Sequence, residues 1–202
     1  GGDVSKREDV ERMMAEVANE LTMAPGCFLR RSLLNWVFDQ KNDLIDHEAA
    51  KKTAVGPVQE AYAQAYATYQ RRLAAAQALD FDDLIMTTVN LFQAFPHIRE
   101  AYRRRFRHVL VDEYQDTNHA QYVLVRELCG QVEDGGEAVS VEPAELMVVG
   151  DSDQSIYAFR GATIRNILDF SDDFPGARTI LLEQNYRSTG NVLSAANAVI
   201  SR

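Results

Sequence analysis

Cysteine is nearly absent. Cys27 and Cys129 lie far apart with no C-x-x-C, so reduced cytosolic thiols are the simplest reading. The four histidines, His47, His97, His108 and His119, have no metal-ligand spacing and read as surface or core residues. No apolar run approaches the roughly 20 residues a membrane helix needs, and no signal peptide is visible. Basic charge is in deficit: 21 Lys and Arg face 30 Asp and Glu, a net charge of −9. That argues against coating nucleic acid through bulk charge and leaves room for a local basic groove. No G-x-x-x-x-G-K-[ST] phosphate loop occurs in the 202 residues; neither Gly56-Pro57 nor Gly135-Gly136 is one. There is no repeat and no low-complexity tract. Gly1-Gly2 without an initiator Met reads as a processed, excised or tagged start.

What remains is globular: 46% hydrophobic, 25% charged, five prolines, and a length that suits one domain or two. Residues 3–77 read as all-helical. Ser5-x-x-Glu8 fits a capping box, and Val10, Met13, Met14, Val17 and Leu21 form an amphipathic stripe. Ala24-Pro25-Gly26 breaks it. A second helix is expected from about Phe28 to Lys41, and Gly56-Pro57 opens a long third one. Tyr62, Tyr66 and Tyr69 on that helix have the chemistry to stack bases, but the buried face of a helical hairpin is the preferred reading.

At Asp80 the pattern changes. Phe81, Leu84, Ile85, Thr88 and Phe92 mark a helix capped by Asp80, and Pro96 opens the next. That helix ends in Tyr102-Arg103-Arg104-Arg105-Phe106-Arg107, whose cations suit a helix C-terminus better than a phosphate site. Three apolar runs then each lead into polar residues. Val109–Val111, expected to be buried on both sides, precedes Asp112-Glu113. Leu146–Val149 precedes Gly150-Asp151-Ser152-Asp153-Gln154-Ser155-Ile156-Tyr157. Thr179–Leu182 precedes Glu183-Gln184-Asn185-Tyr186-Arg187-Ser188-Thr189. Between the first two, Asn118-x-x-Gln121 can cap a helix, and residues 131–143 read as an acidic surface loop. Strands alternating with helices predict an α/β fold with a mostly parallel sheet, its polar clusters gathered on one edge. There Asp112 suits a magnesium ion and Glu113 suits a base or water-orienting group.

The runs Asp80-Phe81-Asp82-Asp83-Leu84, Val111 to Asn118, Gly150 to Tyr157 and Gln184 to Thr189 resemble, in order and spacing, the motifs of the UvrD/PcrA/Rep group of superfamily 1 DNA helicases. Residues 1–79 resemble that group's helical 1B insertion, with weaker motifs. The resemblance implies a partial RecA-like (P-loop NTPase) sheet with an all-helical 1B subdomain: 1–79 as 1B, 80–190 as part of motor domain 1A, and 191–202 as the start of 2A. It implies ATP and Mg2+ as cofactors, single-stranded DNA and single/double-strand junctions as partners, and a bacterial cytoplasmic, nucleoid-associated location. It assigns magnesium to Asp112, activation of the attacking water to Glu113, and γ-phosphate sensing to Gln154. Arg187 takes an arginine-finger role, and Tyr186 stacks on adenine. Tyr157, Phe159 and Arg160 line the DNA path, with Phe159 where the group often has Trp. Gln115 and Asp116 match positions that brace the loop.

The same resemblance puts the phosphate loop upstream of 1B, so its absence here is expected to reflect truncation. The remainder of the motor, including 2A and 2B, is the expected partner. A non-catalytic DNA-binding or protein-interaction module of the same shape is the main alternative; a helicase–nuclease branch is another.

Overall fold

The chain opens on helices, and two strands follow with further helices between and after them, in a computed structural model that describes residues 7–21, 30–130, 141–155, 161–163 and 165–200. The helices are α1 (Arg7–Glu20), α2 (Arg30–Asn42), α3 (His47–Thr53), α4 (Gly56–Ala75), α5 (Phe81–Ala94) and α6 (Pro96–Arg105). Then come β1 (His108–Val111), α7 (His119–Cys129), β2 (Glu145–Val148), α8 (Arg165–Leu168), α9 (Phe170–Asp173) and α10 (Gly190–Ile200). Short 3-10 turns occupy Tyr114–Asp116 and Ser152–Gln154. The expected cap at Ser5, the Ala24-Pro25-Gly26 break, Phe28, and most of the acidic loop lie outside the described residues.

The first four helices share one apolar core. Val10, Met14 and Val17 of α1 meet Leu33, Leu34 and Val37 of α2, Ala50 of α3, and Tyr62, Ala65, Tyr66, Tyr69 and Leu73 of α4. Burying each aliphatic side chain stabilises the fold by about 1.5–3 kcal/mol. The tyrosines are core residues, as the plainer reading expects. The Tyr66 hydroxyl donates to the Ile45 carbonyl at 3.2 Å, and Trp36 and Tyr62 stack tilted at 5.7 Å.

One charged cluster joins this bundle to α5. Lys41 lies on the buried face of α2, below Leu34 and Val37, and is fully buried. Its Nζ reaches Asp80 Oδ2 at 2.6 Å and Asp83 Oδ1 at 2.8 Å, and lies 5.0 Å from the centre of the Tyr69 ring. Tyr69 donates to Asp80 Oδ2 at 2.8 Å, and Gln70 Nε2 to Asp83 Oδ1 at 3.1 Å. Asp80 and Asp83 also form the capping box that starts α5. The start of α5 is thus tied to α2 by one ammonium and to α4 by Tyr69 and Gln70. Burial opposes the Asp80 charge, but Lys41, the Asp83 amide and the Tyr69 hydroxyl outweigh it and hold its pKa below the usual carboxylate value. Asp83 goes the other way, raised by burial and by Asp80.

The next layer sets α5 against α6 and α7. Arg103 is completely buried. Its guanidinium donates to the carbonyls of Glu127 at 2.9 Å and Gly130 at 3.0 Å, closing the C-terminus of α7. Arg99 pairs with the Glu127 carboxylate at 3.0 Å. The arginine run therefore does suit a helix end, but Arg103 serves the neighbouring helix; Arg107 caps its own, donating to the Arg103 carbonyl at 3.3 Å. Burial pushes the Cys129 thiol up to about 11, so at neutral pH it is a core thiol.

β1 and β2 pair in parallel, Val109 opposite Leu146 and Val111 opposite Val148. Together with the helices they make an α/β protein. Three expectations need correction. Residues 179–182 form no strand: Ile180, Leu181 and Leu182 are 66%, 75% and 83% exposed, because no neighbouring strand lies beside them among the described residues. β1 is not buried on both sides; Leu110 is 73% exposed, since the described helices cover only the face carrying Val109 and Val111. Within α5, Asp83, Met86, Val89 and Phe92 face inward, while Phe81 and Leu84 of the expected stripe are exposed.

Replacing Lys41 with Met should destabilise the fold by about 3–5 kcal/mol at neutral pH, because two buried carboxylates lose their cation; urea unfolding followed by far-UV circular dichroism measures it. Asp82 supplies a pH test. Burial, then the neighbouring Asp80 and Asp83, raise its pKa from 3.8 to about 6. A raised acid favours the folded state below pH 3.8, and that contribution is lost as pH rises through 6. Asp82→Asn should therefore be the more stable protein at pH 7, with the two melting temperatures converging towards pH 4.

Candidate functional site at the strand ends

A parallel pair delivers its polar residues to one edge, and here the backbone itself makes the join. The Val149 N–H donates to Val111 O at 2.8 Å, and the Tyr114 N–H to Val149 O at 2.9 Å, so pairing continues past both strands into their loops. The chain turns at Glu113, whose φ of 50° places it in the left-handed region. Such a backbone is uncommon for a residue with a side chain and costs about 1–3 kcal/mol. The turn leaves Asp112 and Glu113 adjacent and exposed at the carboxyl end of β1, with Tyr114 and Gln115 buried beneath them.

Asp112 Oδ1 accepts the Glu113 N–H at 2.9 Å, and among the described residues its other oxygen has no partner. Glu113 Oε2 accepts from Gln115 Nε2 at 2.7 Å. Gln115 Oε1 in turn accepts the Asp151 N–H at 3.1 Å, from the loop after β2. Asp151 then organises its own loop: Oδ1 accepts the Asp153 N–H at 3.0 Å and Oδ2 accepts Gln154 Nε2 at 2.7 Å. Glu113 and Gln154 therefore hang on one chain of hydrogen bonds through Gln115 and Asp151. By motif position alone Gln115 is a loop brace and Asp151 has no assigned role. The signal for Asp151 was the Asp-x-Asp pattern, an aspartate that turns its own loop.

Behind this edge the loops are anchored in the fold. Thr117 Oγ1 donates to the Tyr114 carbonyl at 2.7 Å, and the buried Asn166 of α8 donates to Thr117 Oγ1 at 3.0 Å and to Thr117 O at 3.2 Å. The Thr163 N–H also reaches Thr117 O, at 3.1 Å. Asn118, which caps α7 with Gln121, donates from Nδ2 to Asn42 Oδ1 at the end of α2, at 2.8 Å. One turn thus touches the helical bundle, α7 and α8.

Among the described residues there is no group of three or more His, Cys, Asp or Glu that could hold a metal ion. Magnesium, however, is usually held by one or two carboxylates together with substrate phosphates, and the second carboxylate oxygen of Asp112 fits that mode.

The remaining expected site residues are not assembled in the same way. Asn185 Oδ1 accepts the backbone N–H groups of Arg187 and Ser188, both at 2.9 Å, so that loop has a defined turn. Tyr186 is 92% exposed, and among the described residues no hydrogen bond or ion pair ties the Tyr186 or Arg187 side chains to the strand ends. Tyr157, Phe159 and Arg160 lie outside the described residues.

Fold and site together define an α/β protein whose paired strand ends present acidic and amide side chains on one edge. The chain belongs to the UvrD/REP helicase N-terminal domain family, which matches residues 3–175. A Mycobacterium tuberculosis protein named ATP-dependent DNA helicase UvrD1 is 58% identical over 198 residues, 96% of this chain and 25% of that protein. Bacillus subtilis ATP-dependent DNA helicase PcrA is 48% identical over 184 residues, 91% of this chain and 23% of that protein. The Staphylococcus epidermidis protein of the same name is 50% identical over 192 residues, 95% of this chain and 25% of that protein. The chain spans about a quarter of the length of the curated relatives it matches.

Gly150 is where the site tolerates least change. A Cβ there would meet Gln115 Oε1 at 2.7 Å and Ile167 Cδ1 at 2.8 Å, and Gln115 is pinned by bonds on both sides. Gly150→Ala should lower stability by about 1–3 kcal/mol, read as a fall in the midpoint of urea unfolding.

Proposed function

We propose that this chain forms part of an ATP-dependent DNA helicase, a motor that hydrolyses ATP to move along single-stranded DNA and open duplexes in repair or replication. The observation that carries the reading is the hydrogen-bonded edge on which Asp112, Glu113 and Gln154 meet, in a chain of the helicase family. In this reading residues 80–190 belong to a RecA-like motor domain 1A, residues 1–79 are its 1B insertion, and 191–202 begin 2A.

The chemistry assigned to the edge is phosphoryl transfer to water. The water oxygen bonds to the γ-phosphorus as the bond to the bridging oxygen breaks, and ADP leaves with that electron pair. Glu113, exposed and oriented by Gln115, takes the proton. Asp112 offers its second carboxylate oxygen to Mg2+, which when bound neutralises charge on the β- and γ-phosphate oxygens. Gln154 senses the γ-phosphate. Its Nε2 donates one N–H to Asp151, which leaves the second N–H for a phosphate oxygen. Arg187 supplies a cation to the transferring group, and Tyr186, almost fully exposed, has a free ring face for adenine. Tyr157, Phe159 and Arg160 are assigned to the DNA path on motif order alone, by base stacking and phosphate pairing.

No phosphate loop occurs among the 202 residues, so the chain by itself lacks the backbone donors and lysine that grip β- and γ-phosphates. Purified alone it should show no DNA-stimulated ATPase; robust turnover would remove that part of the reading. In the parent protein, Glu113→Gln should abolish hydrolysis while nucleotide affinity, measured by fluorescent-analogue titration, stays close to the unaltered protein. Retained turnover would exclude Glu113 as the base.

A further inference from the structure

The amide that joins the two strand-end loops has a more specific task than bracing. Gln115 is 1% exposed, yet both ends of its carboxamide are used, and on different loops. Nε2 donates to Glu113 Oε2 at 2.7 Å, and Oε1 accepts the Asp151 N–H at 3.1 Å. Among the described residues this is the one side-chain hydrogen bond that Glu113 makes. An exposed glutamate otherwise samples several rotamers, and a base must lie within hydrogen-bond reach of the proton it takes. Beyond Asp151 the same chain of bonds reaches Gln154. Gly150 leaves the space this contact needs: a Cβ there would sit 2.7 Å from Gln115 Oε1.

We propose that Gln115 is a positioning residue that fixes the Glu113 carboxylate and registers it against the Asp151–Gln154 loop. One buried amide then sets the spacing between the group that takes the proton and the group that senses the phosphate. Movement of the loop after β2 is carried to Glu113 through that amide. The proposal rests on the reading of Glu113 as the base, and its test separates the two.

The test uses the parent helicase with ATP and single-stranded DNA. Gln115→Glu keeps the shape and an acceptor for the Asp151 N–H, but sets an oxygen against Glu113 where a donor stood. Gln115→Asn keeps the amide and is one methylene too short to reach both loops; it serves also if the first variant does not fold. Each should lower kcat by about tenfold or more while the KM for ATP stays within about threefold. A purely structural Gln115 would instead lower the melting temperature and leave kcat unchanged, and that result in either folded variant overturns the proposal. Glu113→Gln is the control. If it is inactive while both Gln115 variants keep full kcat, positioning fails and the function stands. If Glu113→Gln itself turns over, the base assignment fails, and this proposal falls with it.

Discussion

A single ammonium group, that of Lys41, ties α2 to the start of α5. It sits among two aspartates, a tyrosine ring and the apolar residues of α2, with no access to water. Removing it from solvent is unfavourable, and only the matched carboxylates make that position tenable. Because Asp80 and Asp83 also start α5, the cation fixes where α5 begins and, through α5, where α6 and α7 lie. β1 comes directly after α6, and α7 leads back towards β2, whose approach Ala144 secures by donating to the Leu128 carbonyl at 3.1 Å. The charge cluster thus helps to place the strand ends, and the next residue of α2, Asn42, bonds directly to Asn118 in the turn that follows β1.

At the strand ends the logic is polar and local. The 3-10 turn after Glu113 tucks Tyr114 and Gln115 beneath the edge, and Tyr114 rests edge-on against Phe170 of α9 at 5.6 Å. Thr117 and Asn166 then tie that turn to α8, and Asn118 ties it to Asn42 of α2. The same short stretch that presents the carboxylates therefore contacts the bundle, the sheet and the helices beyond it. For the proposed motor, this makes the turn the natural place for a change at the phosphate to be felt by the helical insertion.

How much of this could be read beforehand depends on the range of the interaction. α1, α2 and α4 were legible because a 3.6-residue stripe such as Val10, Met14 and Val17 is a local pattern, whereas the short α3 was not assigned. The caps at Asp80 and Asn118 were legible for the same reason. Lys41 was not, although it falls seven residues after Leu34 and four after Val37, on the apolar face; a lysine there reads as an error until its partners 39 and 42 residues on are known. The third strand failed for the converse reason. Thr179–Leu182 has strand composition, but a strand needs a neighbour to bond, and composition does not supply one. Asp112 and Glu113 were found through strand-end position and motif, while the Gln115 bridge depends on two loops meeting.

The two-stranded sheet has a consequence for how this chain behaves in solution. Among the described residues the two strands have two unpaired outer edges, and on the open face Leu110 and Met147 stand 73% and 57% exposed. Bare edges with apolar side chains favour strand-to-strand stacking between molecules at high concentration. The net charge of −9 works against it by mutual repulsion, and salt weakens that repulsion. For the isolated chain, ionic strength is therefore the variable that sets the balance between dispersal and association.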